Sequence, residues 1–160
     1  MGGGILPVAL YKDKFYFLFS REYNKSDRRD SGMWSDFGGS SEPNESIIDT
    51  SIREGWEESV GFLGNKSQVG KLVYNNTIKT ITKKNHTTYI ILIDYDKNLP
   101  NMFNNNFSYL EKNIPSVICK NGFYEKDKLK WIEYSNIKKN MDIFRPYYKE
   151  LVKIILSEFN

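Results

Sequence analysis

Four charged residues lie close enough in the chain to do chemistry together: Arg53, Glu54, Glu57 and Glu58, with Glu45 eight residues before Arg53. Placed on a helix at about 100° per residue, Glu54, Glu57 and Glu58 share one arc, because positions three and four apart are neighbours. Ile48, Ile52, Gly55 and Ser59 project to the other side, with Trp56 at the margin. One face can pack while the other presents three carboxylates. Carboxylates this close repel one another, and a hard divalent cation with oxygen ligands resolves that repulsion. Arg53 stands four residues before Glu57 and can orient it through a charge-assisted hydrogen bond. A solvated acidic helix face is the plain alternative for the three glutamates alone.

The upstream spacing goes further. The segment resembles the Nudix box, G-x(5)-E-x(7)-R-E-U-x-E-E-x-G-U with U aliphatic, and Gly39, Glu45, Arg53, Glu54, Glu57 and Glu58 match it in register. The flank agrees: Gly32, Trp34, Phe37, Gly38 and Gly39 look like the tryptophan and double glycine that commonly precede the box. The resemblance covers Ile5 to Gly61 well and the remainder in outline. There are departures. Gly55 stands where the family places an aliphatic residue, which weakens helix packing there. Val60 occupies the motif's glycine position and Gly61 follows, so the helix is expected to run one residue longer before a left-handed stop at Gly61, with Val60 packed inward. Phe37 takes a position that is often proline.

The resemblance implies an α+β fold with a mixed β-sheet sandwiched between α-helices. It also implies a metal-dependent hydrolase acting on the pyrophosphate linkage of a nucleoside diphosphate derivative. Mg²⁺ or Mn²⁺ would be held by Glu54, Glu57 and Glu58, with the Gly39 carbonyl. Glu45 would bind a metal-linked water or brace the loop. Relatives often recruit a carboxylate from outside the box, and Glu111, Glu125, Asp127 and Glu133 are candidates. Glu125 is favoured because Glu125 and the later Trp131 resemble a glutamate and tryptophan that precede a late strand in relatives. Arg21, at the end of a strand, matches a phosphate-contacting arginine. Trp34 would stack on a base and Gly38 and Gly39 would line the substrate, although a tryptophan beside a sheet is more often core.

Three readings of function stay open. The first is hydrolysis of a small nucleotide or dinucleoside polyphosphate. The second is hydrolysis of the cap of messenger RNA, favoured by Arg28, Arg29 and the basic residues scattered through Lys120 to Lys153. The third is a nucleotide-sensing module without catalysis, which would have no need of all three helix glutamates. A homodimer is compatible with the resemblance. His86, the only histidine, reads as an exposed strand-start residue, and Cys119 as a thiol without a partner histidine.

The elements that must position these groups follow from the rest of the chain. Ile5–Tyr11 and Phe15–Ser20 form a hairpin, Glu22 to Gly32 an exposed loop, and Trp34 to Ser41 a short strand entering a loop. A helix runs from after Asn44 to near Gly61. Val69–Tyr74 and Thr87–Tyr95 read as strands around a polar Lys79–Asn85 stretch. Asn98–Asn106 reads as a loop and Phe107–Asn113 as a short helix. Leu129–Tyr134 reads as a strand and Tyr147–Phe159 as a terminal helix. No repeat or linker divides the 160 residues, so a single domain over 1–160 is expected.

Composition limits the alternatives. The net charge is +3, from 23 Lys+Arg against 20 Asp+Glu, a mixed surface and not the single-sign stripe of a duplex-DNA binder. Apolar runs such as Tyr89 to Ile93 fall far short of the roughly 20 residues that span a bilayer. The start carries no basic, apolar leader pattern. One cysteine makes no internal disulfide and no cysteine zinc site, which fits a reducing, cytoplasmic setting.

Overall fold

The computed structural model describes all 160 residues. β1 (Gly2–Tyr11) and β2 (Lys14–Glu22) form the expected antiparallel hairpin. Lys12 and Asp13 turn it, both at positive φ, as a type I′ hairpin turn requires. β3 (Trp34–Ser35) pairs with β2, and β4 (Phe37–Ser40) pairs with β1. Then come α1 (Ile47–Ser59), α2 (Lys66–Asn76), β5 (Thr77–Lys83) and β6 (His86–Leu92). α3 (Leu99–Asn113), β7 (Lys126–Glu133), a single-turn α4 (Tyr134–Ile137) and α5 (Tyr148–Glu158) complete the chain.

β1 runs parallel to β6 and antiparallel to β2 and β4, so the sheet is mixed; β5 extends it beyond β6, and β7 pairs with β2. Ile5, Leu6, Val8 and Ala9 of β1 are fully buried, as a central strand covered on both faces demands. On one face Ile5, Leu18, Phe37, Ile91 and Leu129 pack with Ile52 of α1, Val69 and Val73 of α2 and Phe103 of α3. On the other, Leu6, Val8, Phe17, Phe19 and Ile132 pack with Ile137 of α4 and Tyr148, Leu151, Val152 and Ile155 of α5. A mixed sheet between two helical layers is the α+β arrangement expected. No helix is long and apolar enough to cross a membrane.

Three segments differ from expectation. Val69–Tyr74 is not a strand but part of α2, started by a capping box in which Asn65 and Gln68 bond each other's backbone. Its β-branched residues mislead, yet Val69 and Val73 are four apart and share the buried helix face. The polar Lys79–Asn85 stretch contains most of β5, with only Ile81 buried; a strand at the sheet edge carries exposed polar and lysine side chains. The asparagine-rich Asn98–Asn106 segment belongs to α3, with Pro100 in its first turn and Phe103 and Phe107 turned inward.

α1 carries the acidic residues. Ser46 caps its start by accepting the Asp49 N–H at 3.2 Å. The helix does not run one residue longer: it stops at Ser59, and Val60 itself adopts the left-handed conformation (φ 45°, ψ 40°), followed by Gly61 at φ 84°. The valine takes the conformation that the motif's glycine would otherwise supply, at the steric cost a β-branched residue meets there. Gly55 has a reason. A Cβ on it would lie 2.5 Å from Ile5 Cδ1, so the bare backbone lets α1 rest closely on β1.

Candidate active site

The site gathers where α1 crosses the end of the sheet at β1 and β4. Arg53 organises it. Its Nε donates to Glu45 Oε1 at 2.8 Å, Nη2 to Glu45 Oε2 at 3.0 Å and to the Ser40 carbonyl at 3.1 Å. Nη1 donates to Glu54 Oε1 at 2.8 Å and Glu57 Oε2 at 3.1 Å. Glu45 also accepts from Thr50 Oγ1 and from the Glu42 N–H, so it braces the loop before α1. The Arg53 hydrogen bonds, with these further donors, hold the Glu45 carboxyl at about 2, well below the usual carboxylate range. Burial pushes the Glu54 carboxyl up, partly offset by Arg53.

Two glycines keep the approach open. A Cβ on Gly39 would sit 2.5 Å from Glu54 Oε1, and one on Gly122 would sit 2.8 Å from Glu57 Oε2. Glu54 and Glu57 therefore stand in a cradle that larger residues would fill. No three acidic side chains converge tightly enough to ligate one ion as they stand, because Arg53 lies between its carboxylates. The donors are nonetheless of the right kind. Hard oxygens from two carboxylates and a backbone carbonyl suit Mg²⁺, which keeps several waters and uses few protein ligands.

Glu58 does not lie on an open acidic face with its neighbours. Its side chain is buried at the edge of the packing face, where Oε2 accepts the Gly38 N–H at 2.7 Å and Oε1 faces Lys126 Nζ at 3.5 Å. Burial pushes its carboxyl up against the pull of Lys126. Lys126, also fully buried, donates to Glu22 Oε1 at 2.5 Å. Glu22 is thus no part of an exposed loop: it ends β2, buried, and further faces Arg145 Nη1 at 3.2 Å and Arg28 Nη1 at 3.6 Å. Burial opposes its ionisation, but Lys126, Arg145 and Arg28 together hold it below the ordinary range. Glu22, Lys126 and Arg145 carried no local signal in the sequence, since more than a hundred residues separate Glu22 from its two cations.

The remaining candidates divide. Glu125 receives both Arg28 Nη1 at 2.8 Å and Nη2 at 2.9 Å, and its charge is felt at Glu54. Glu111 is tied to Tyr23 and Lys25, and Glu133 to Lys14 at the hairpin. Arg21 is not brought to the cluster. It donates to Asp127 through Nε at 2.7 Å and Nη2 at 2.8 Å, and strand alternation turns it to the face opposite Glu22. Trp34 packs, half-buried, against the α5 side of the core.

His86 is buried rather than exposed, its Nε2 3.0 Å from Asp36 Oδ2, which also accepts from Thr88 Oγ1 at 2.6 Å. Burial disfavours the imidazolium, but Asp36 outweighs it and raises the pKa. The pair lies under a cavity of about 400 Å³ against Gly38 and Gly39, walled by Lys83, Lys84, His86, Arg145 and Tyr147.

No family model and no curated protein matches the sequence. Solved structures do match in fold. A bifunctional NMN adenylyltransferase/ADP-ribose pyrophosphatase from Francisella tularensis, with AMP and manganese bound, superposes with a TM-score of 0.62 at 18% identity. The match covers 99% of this chain and 41% of that protein, so this chain spans less than half its length. A C. elegans Ap4A hydrolase matches with a TM-score of 0.58 at 15% identity, over 99% of this chain and 95% of the other. The NUDIX domain of Shewanella oneidensis NrtR, solved with ADP-ribose, matches at 0.53 and 11%, over 99% and 87%. The chain shares the mixed-sheet, α+β fold of these proteins, a NUDIX domain among them.

Proposed function

We propose that this protein is a metal-dependent Nudix hydrolase that cleaves a pyrophosphate linkage in a nucleoside diphosphate derivative. The observation that carries the reading is Arg53 gathering Glu45, Glu54 and Glu57 beside Gly38 and Gly39, on a fold shared with a pyrophosphatase and a dinucleoside polyphosphate hydrolase.

Glu54 and Glu57, with the Gly39 carbonyl, would hold Mg²⁺ or Mn²⁺, and Glu58 stands behind them. When bound, the cation supplies charge neutralisation for the pyrophosphate and activation of water. Arg53 fixes the angle at which Glu54 and Glu57 meet the cleft. Glu45 ties that arginine to the loop before the helix. Glu58 pins the Gly38 amide, and with it the glycine pair that lines the substrate. Glu125, aligned by Arg28, is the carboxylate supplied from outside the box, and a glutamate of this set takes the proton from the attacking water.

The cavity beside Gly38 and Gly39 favours a small nucleotide over a capped RNA. About 400 Å³ is at the small end of ligand pockets. Lys83 and Lys84 offer it positive charge, and Tyr147 and His86 offer aromatic surface. The test is a panel of ADP-ribose, Ap4A and related nucleotides incubated with Mg²⁺ or Mn²⁺. Metal-dependent release of a mononucleotide product from at least one member is expected, and its loss in Glu57→Gln. Binding of nucleotides with no turnover under either metal would instead favour a sensing module.

A further inference from the structure

A fully buried lysine is rare unless it is paired, and Lys126 is paired twice, with Glu22 and with Glu58. Its Nζ also lies 3.4 Å from Ser35 Oγ. The charges around the cleft fall into two groups. On the side of the glycine cradle, Arg53 alone faces Glu45, Glu54 and Glu57, which leaves an excess of two negative charges. On the other side, Lys126, Arg28 and Arg145 face Glu22, Glu58, Glu125 and Asp30, three positive charges against four negative, with only Lys126, Glu22 and Glu58 in the interior. The larger unmet charge, two negative charges, lies on the cradle side and matches a single divalent cation at Glu54 and Glu57. Glu58, the third helix carboxylate, already has a cation beside it and an amide on its other oxygen.

We propose that Lys126 takes the place of a divalent cation on the interior side of the carboxylate cluster, so that the site binds one metal ion, at Glu54 and Glu57. The inference rests on the hydrolase reading. Lys126 acts through Glu58 and Glu22 and is a positioning residue, since its ammonium has no exposed surface with which to touch substrate. A lysine fixed by the fold differs from a bound ion in being independent of metal concentration and unable to carry a water ligand.

The experiment counts Mn²⁺ bound per chain by the loss of its free-ion spin-resonance signal, with no substrate present. The wild type is expected to bind one ion. Glu57→Gln is expected to weaken that binding at least about tenfold, as loss of a ligand does. Glu22→Gln is expected to leave count and affinity within about threefold of wild type, well below the change for a ligand or its close supporting partner. Lys126→Met is expected to take up a second Mn²⁺ between Glu22 and Glu58. Two or more ions in the wild type would overturn the proposal, and so would a tenfold loss of affinity in Glu22→Gln. Should Lys126→Met fail to fold, the wild-type count and the Glu22→Gln titration still decide the matter. No Mn²⁺ binding at all would bring down the hydrolase reading and this inference with it. Hydrolysis accompanied by two bound ions would bring down this inference alone.

Discussion

Arg53 Nε donates to Glu45 Oε1 at 2.8 Å, tying the second turn of α1 to the loop that precedes it. With Nη2 on the other carboxylate oxygen, the contact is a two-point one that a lysine cannot reproduce. Arg53→Lys is expected to lower kcat by about a hundredfold, because Glu54 and Glu57 lose the group that orients them. The Glu45 carboxyl is lowered to about 2 by Arg53 and its other donors, so the stability this pairing contributes is present above the unfolded carboxylate's pKa. It is lost as pH falls through the folded value. Urea unfolding should therefore separate wild type from Glu45→Gln at pH 7, with the gap closing between about pH 4.5 and 2. A gap that persists at pH 2 would refute the assignment.

Glu57 and Glu58 are adjacent in sequence but differ in surroundings, so their variants should part company. Glu57→Gln is expected to cost at least about a hundredfold in kcat while changing stability by less than about 1 kcal/mol. Glu58→Ala removes one partner of the buried Lys126 and leaves the Gly38 amide unpaired. Breaking a buried pair from one side costs about 3 kcal/mol or more. Denaturant midpoints read the difference directly. Equal stability of the two variants would mean that Glu58 is not held as described.

The grouping of Arg53 with Glu45, Glu54 and Glu57 was legible in the sequence because its spacing is local, whereas the burial of Glu58 against Gly38 and Lys126 was not. The hairpin was legible because its apolar runs flank a short charged turn. What the sequence withheld was long-range. Lys126 reads as one more residue of a charged stretch until β7 pairs with β2 and sets it beside Glu22. His86 reads as exposed until β6 lies parallel to β1 and carries it onto Asp36. The partner of Arg21 was hidden in the same way, since strand alternation turns it toward Asp127 and away from the glutamate cluster. α2 and the first half of α3 depart from expectation for a local reason, while Phe107–Asn113 is helical as expected. Valine-rich and asparagine-rich compositions argue against helix, and tertiary burial of Val69, Val73, Phe103 and Phe107 overrides them.

Glu125 is the acidic candidate outside the box whose charge reaches Glu54, and Arg28 fixes both its oxygens. Glu125→Gln is expected to lower kcat about tenfold or more and to raise KM by less, the pattern of a group acting mainly in the transition state. Glu111→Gln is the control, because Glu111 is occupied by Tyr23 and Lys25. Steady-state kinetics on the best substrate of the panel separate the two. Loss of activity in the control with none in Glu125→Gln would pass the role to Glu111.

Substrate size has its own signature in salt. A capped RNA needs lysines and arginines along its chain, and each phosphate contact would steepen the fall of binding with salt by about 0.7 in a log–log plot. Three arginines near the cleft are committed elsewhere, Arg53 to three glutamates, Arg28 to Glu125, and Arg145 to Glu22 and Asp30, while Arg29, in the adjoining cleft with Arg28 and Arg145, has no carboxylate partner. Lys83 and Lys84 remain at the rim of the cavity beside Gly39, enough for the phosphates of one small ligand. A small-nucleotide hydrolase should show only the modest screening expected for a single anion. Measured across a salt series, kcat/KM for Ap4A is expected to change gently and to exceed that for capped RNA at every concentration. Negligible cleavage of small nucleotides, beside efficient and steeply salt-dependent cleavage of capped RNA, would reverse the substrate assignment. The roles of Arg53, Glu54 and Glu57 would stand under either outcome, because both substrates bring the same pyrophosphate to the same carboxylates.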